Sequence, residues 1–72
     1  MPRLPKAREA IRVALRLGFI FSRQKGSHAI YRHIDGRRLT IPIHGSKELG
    51  TALFKQITED MGITRDKFWN LV

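Results

Sequence analysis

His28-Ala29-Ile30-Tyr31-Arg32-His33, Ile34-Asp35-Gly36 and Arg37-Arg38-Leu39-Thr40-Ile41-Pro42-Ile43 follow one another directly, and the way they pair decides which side chains the fold buries. The flanks are rich in aromatic and β-branched residues and Asp-Gly lies between them, so the stretch reads as two antiparallel strands around a tight connection. Side chains alternate along a strand, so a slip of one residue sends each to the other face. With a two-residue Asp35-Gly36 turn, Ile34 pairs with Arg37 and His28 falls opposite Ile43; His28 and Arg32 then join Ile30, Leu39 and Ile41 in the core. With a three-residue loop Ile34-Asp35-Gly36 and a left-handed Gly36, His33 pairs with Arg37. Ala29 and Tyr31 then join Leu39 and Ile41 inside, while His28, Arg32, Arg38 and Thr40 face outward. The second register is preferred, because burying an unpaired charge costs on the order of several kcal/mol.

Outward from this pair, Phe19 to Gln24 supplies another strand, and Lys25-Gly26-Ser27 forms a cationic turn leading into His28. From Leu4 to Gly18, the apolar residues Leu4, Ala7, Ile11, Ala14 and Leu15 recur at helical steps, with Pro5 suited to the first turn and Gly18 to the C-terminal cap. Arg8, Arg12 and Arg16 form a basic ridge on another face, with Glu9 the only acid near it. Pro42-Ile43-His44-Gly45 leaves the sheet, and the segment up to Gly50 reads as a loop or a single helical turn. Thr51 is the expected N-cap of a helix whose apolar face is Leu53, Phe54, Ile57 and Met61. Gly62 followed by Ile63 fits a glycine stop with a hydrophobic residue packing back. Thr64 caps a last short helix through Leu71, whose Phe68 and Trp69 cover the core. The order is helix, three antiparallel strands, helix and short helix, an α+β two-layer sandwich in one domain spanning residues 1–72.

Fourteen lysines and arginines against six acids give a net charge of +8, which calls for a polyanionic partner, nucleic acid before anionic membrane. No apolar run approaches the roughly 18 residues of a spanning helix, and the N-terminus lacks the apolar core of a signal peptide. The chain is therefore expected to be soluble and cytoplasmic, with no membrane partner. The absence of cysteine removes disulfides, thiolate catalysis and Cys-based metal sites. His28 and His33 point to opposite faces of one strand and His44 lies beyond the next, so no metal site is expected.

With these residues in place, the chain resembles the HicA (YcfA-like) family of small toxins from toxin-antitoxin pairs. The resemblance runs over nearly the whole length: Leu17-Gly18-Phe19, then Lys25-Gly26-Ser27-His28-Ala29-Ile30-Tyr31-Arg32, Asp35-Gly36-Arg37-Arg38, Ile41-Pro42-Ile43-His44, and Gly50-Thr51. It departs from the family between Lys47 and Thr51, where many members carry more lysines. The resemblance implies a fold like the double-stranded RNA-binding domain and a metal-independent mRNA interferase. It also implies neutralisation by a HicB-like antitoxin, and it maps the catalytic histidine onto His28. Candidate RNA contacts are Arg23, Lys25, Gly26, Ser27, Arg32, Arg37 and Arg38, and no small-molecule cofactor is implied.

A histidine can move a proton near neutral pH, and RNA supplies its own nucleophile in the 2′-hydroxyl. His28 as general acid or base would contribute roughly 10²- to 10⁴-fold. A complete cleavage needs both a base and an acid: Lys25 or a positioned water could carry the other proton, and His33, on the other face in the preferred register, and His44 are weaker candidates. Ser27 has no paired base and reads as a turn residue or phosphate donor; Gly26 reads as a place for close backbone approach to a phosphate. His44 reads as a residue fixing the strand-to-helix loop. The alternative is a module that binds double-stranded RNA without cutting it. A DNA-binding accessory subunit is a third reading, without a helix-turn-helix signal behind it.

Overall fold

The His33 backbone N–H donates to the Arg37 carbonyl at 2.9 Å, and the Gly36 N–H returns to the His33 carbonyl at 2.9 Å. Gly36 sits at φ 99°, a conformation that a residue with a Cβ resists. The connection is therefore the three-residue loop, and it sets the register Tyr31↔Leu39, Ala29↔Ile41 and His28↔Pro42. The computed structural model describes residues 3–43 and 45–72. His44, and with it the expectation that it fixes the loop after the third strand, lies outside the described residues.

The elements in chain order are α1 (Ala7–Arg16), β1 (Ile20–Lys25), β2 (His28–Arg32), β3 (Arg38–Pro42), α2 (Thr51–Met61) and α3 (Arg65–Leu71). The strands form one antiparallel sheet in the order β1-β2-β3. This is an α+β fold consistent with the two-layer sandwich of double-stranded RNA-binding domains. Tyr31, Ala29, Leu39 and Ile41 meet Val13 and Ala14 of α1, Phe54, Ile57 and Met61 of α2, and Phe68 of α3 in one core. Pro42 fits β3 because hydrogen-bonded and open pairs alternate along an antiparallel ladder. Counting from the His33–Arg37 bond, Pro42 falls at an open position, where its missing N–H would have faced away from β2.

Both long helices stop as the glycines predict. After α1, the N–H groups of Gly18 and Phe19 donate to Leu15 and Ala14; after α2, those of Gly62 and Ile63 donate to Glu59 and Thr58. Gly18 and Gly62 lie at φ 95° and 77°, so each closes a Schellman-type stop. Thr64 accepts from the Lys67 N–H at 3.1 Å and starts α3. Phe68 is fully buried, in edge-to-face contact with Phe54 and Trp69, so this aromatic pair covers the core.

Other boundaries differ from expectation. Helix α1 starts at Ala7, because Pro5 is held before it: its carbonyl accepts the Leu49 N–H at 2.8 Å, and Lys6 bridges to Glu48. The buried side of α1 is Ala7, Ala10, Val13 and Ala14, while Leu15 is 53% exposed. The helix packs against both β3 and α3, which turns its buried arc away from Leu15. Gly50 rather than Thr51 is the N-cap of α2, extended at φ −69° and ψ 161°. The segment before it is a loop, and Leu49 within it is fully buried.

A candidate nucleic-acid cleavage site on the open sheet face

Gly26 and Ser27 join β1 to β2 as a two-residue turn, with positive φ at Gly26 (60°) and, among the described residues, at no non-glycine residue. Positive φ at the first central position alone marks a type II′ turn, whose twist suits a hairpin. A Cβ on Gly26 would meet nothing within 4 Å, so the glycine answers a backbone requirement and leaves the space above it open. Two bonds brace the turn. The Gln24 side-chain amide donates to the Gly26 carbonyl at 3.1 Å, and the Ile43 N–H donates to the Ser27 carbonyl at 2.7 Å.

The closing pair of this hairpin is Lys25 and His28. Side chains of a directly opposed pair share a face, and parity sends this pair away from the core. Arg23 opposite Ile30, Thr40 opposite Ile30, and Arg32 opposite Arg38 share that face. His28, Lys25, Arg23, Arg32 and Arg38 are all exposed. All six carboxylates of the chain lie outside the strands, at Glu9, Asp35, Glu48, Glu59, Asp60 and Asp66. The strand residues of this face therefore include four cations and no carboxylate, with Ile20 at one end opposite Arg32 and Ile30 buried at the centre. The side-chain hydrogen bonds among the described residues engage the ring of His33 and leave that of His28 unused.

His33 is built into the fold. Its Nε2 donates to the Leu17 carbonyl at 3.0 Å, and its Nδ1, when unprotonated, accepts the Asp35 N–H at 3.1 Å. A proton on Nδ1 would instead meet Asp35 Oδ1 at 3.0 Å. The ring packs edge-to-face on Phe19. Nothing local in the sequence signals Leu17 as its partner, sixteen residues upstream.

Arg37 is not brought to the open face. Its guanidinium donates to the Met61 carbonyl and to Asp35, and it stacks on Phe19 at 5.1 Å. It ties the β2–β3 hairpin to the end of α2. The Arg37 backbone N–H, followed by its side chain, holds the Asp35 carboxyl below its ordinary range. The Arg8, Arg12 and Arg16 ridge lies on the outer side of the helical layer, away from His28. Glu9 does not serve that ridge: it is 8% exposed and gripped by Arg3 at 2.5 and 2.6 Å and by the Lys6 N–H at 2.9 Å. The Arg3 bonds are the main reason its carboxyl falls to about 2.

Among the described residues, no three His, Cys, Asp or Glu side chains gather as a metal-holding group, and no helix is long and apolar enough to cross a membrane. Fold and face together define a small basic α+β domain that presents a histidine among cations on an uncovered sheet. The family model described as HicA toxin of bacterial toxin-antitoxin matches residues 7–63. The chain belongs to the HicA toxin family, and membership implies an antitoxin partner. No curated protein matches it.

Proposed function

We propose that this toxin is a metal-independent endoribonuclease that cleaves mRNA in the cytoplasm, with His28 as general acid/base, and that a HicB-like antitoxin holds it inactive. One observation carries the reading: His28 is exposed on a sheet face that holds Arg23, Lys25, Arg32 and Arg38 and no carboxylate. A phosphodiester chain is drawn to such a face. Lys25, Arg23, Arg32 and Arg38 hold phosphates, Ser27 donates a hydrogen bond to one, and the open space at Gly26 admits the backbone of the substrate.

His28 takes the proton of the 2′-hydroxyl, the 2′-oxygen attacks the adjacent phosphorus, and the bond to the 5′-oxygen breaks. The products are a 2′,3′-cyclic phosphate and a free 5′-hydroxyl. The leaving oxygen needs a proton, and the cross-strand pairing of Lys25 with His28 supports Lys25 as its donor, directly or through a water. Removing an acid or base of this kind costs roughly 10²- to 10⁴-fold.

The test is incubation of the chain and of His28→Ala with single-stranded RNA in excess EDTA, with analysis of the product ends. Cleavage to 2′,3′-cyclic ends by the wild type, lost in the variant, is the expected result. Equal RNA binding by both without cleavage by either would make the chain a non-catalytic double-stranded RNA-binding module. Cleavage by the variant at the wild-type rate would remove His28 from the mechanism.

A further inference from the structure

Strand β1 is the part of the sheet that the helices leave bare. Helices α1 and α2 pack mainly over β3, whereas every residue of Ile20–Lys25 is exposed, Ile20 at 67% and Phe21 at 53%. Since β1 is an edge strand, one row of its backbone groups also faces outward. Lys25 and His28 close a two-residue hairpin and are a hydrogen-bonded pair, so the next pair, Gln24↔Ala29, is an open one. The Gln24 N–H and C=O therefore point away from β2, toward whatever lies alongside.

Such an edge is a template for another strand. RNA fits it less well than a peptide strand does, because a peptide alternates N–H and C=O at the spacing of the edge itself, whereas the phosphodiester backbone presents acceptors and its 2′-hydroxyl donors follow a different repeat. A second copy of this chain also fits poorly. Each copy carries a net charge of +8, and pairing two β1 edges would bring Arg23 and Lys25 of one copy against those of the other. The break in register between Phe21 and Arg23 twists the edge and narrows further what can lie on it.

We propose that the free edge of β1 takes an extended acidic segment of the antitoxin as a fourth strand, with apolar side chains against Ile20 and Phe21 and carboxylates beside Arg23 and Lys25. This rests on the antitoxin half of the proposed function and not on the chemistry of His28. Strand addition at this edge brings negative charge to the cation that neighbours His28, so binding and silencing share one surface.

The test uses the toxin and the antitoxin encoded beside it, identified by its rescue of growth, and reads amide hydrogen exchange residue by residue. In the complex, the Gln24 amide exchanges at least tenfold more slowly than in the free toxin. Gln24→Pro removes that N–H at an edge position where proline is tolerated, and it weakens antitoxin binding at least tenfold. Gln24→Ala loses the same side chain but keeps the N–H, and it binds at least tenfold more tightly than Gln24→Pro. Unchanged Gln24 exchange in the complex would overturn the proposal, and so would equal affinities of the two variants. Protection that rises with toxin concentration alone would give the edge to a second copy, and protection by RNA alone would give it to the substrate; either result overturns the assignment. If Gln24→Pro does not fold, wild-type exchange decides. No arm reads RNA cleavage, so this proposal and the assignment of His28 fail separately.

Discussion

His28 and His33 stand at opposite ends of one strand's length and have opposite surroundings. His33 has both ring nitrogens engaged, by the Leu17 carbonyl and the Asp35 N–H, and rests on Phe19. His28, five residues earlier, faces outward among Lys25, Arg32 and Arg38. The same side chain is a strut in one place and exposed in the other. An odd spacing along a strand decides which: it sends one ring into the molecule and the other out of it.

The comparison breaks most visibly at His28. His28→Ala is expected to lower RNA cleavage at least about 100-fold with no change in melting temperature, measured by product formation and thermal unfolding. His33→Ala should do the reverse, costing about 2 kcal/mol by orphaning the Leu17 carbonyl and emptying the space against Phe19. Its cleavage rate per folded molecule should be that of wild type. Loss of cleavage in His33→Ala at unchanged stability would end the distinction.

The arginines sharpen it. Arg37→Ala should cost roughly 2 kcal/mol in denaturant unfolding, since the Met61 carbonyl and Asp35 both lose a partner, and leave the salt dependence of RNA binding alone. Arg32→Ala and Arg38→Ala should leave stability alone, each reducing the slope of log K against log salt by about 0.7. Gly18→Ala tests the support under His33. A Cβ there would lie 3.0 Å from His33 Nε2 on a backbone at φ +95°, so a loss of about 1 to 2 kcal/mol is expected.

Acid should act on the fold through Glu9. Glu9 is lowered from 4.5 to about 2, chiefly by the Arg3 hydrogen bonds. A lowered carboxyl stabilises the fold above its unfolded value, and the contribution is lost as pH falls from about 4.5 toward about 2. Glu9→Gln should flatten this limb of the stability curve at a cost of about 1 kcal/mol near neutrality, small because Arg3 is half exposed.

What the sequence discloses here is what local rules determine. The three-residue loop at Gly36, the outward face of His28, the stops at Gly18 and Gly62 and the cap at Thr64 each follow from a few neighbouring residues. What it conceals depends on partners far along the chain. Leu49 is buried from within a loop because Pro5 holds its backbone, and no periodicity marks it. Arg37 looks like Arg38 in a string of letters, yet the carbonyl that claims it belongs to Met61. The arc of α1 that is buried was likewise set by α3, which meets it from the other end of the chain.

Pro42 gives the sheet a direction of growth. A strand laid along β3 would find no N–H at that residue, so the two margins of the sheet are unequal, and one copy's β1 cannot propagate onto the next copy's β3 with a full set of bonds. Head-to-tail ribbons of this sheet are penalised at each joint by the one hydrogen bond that Pro42 cannot donate.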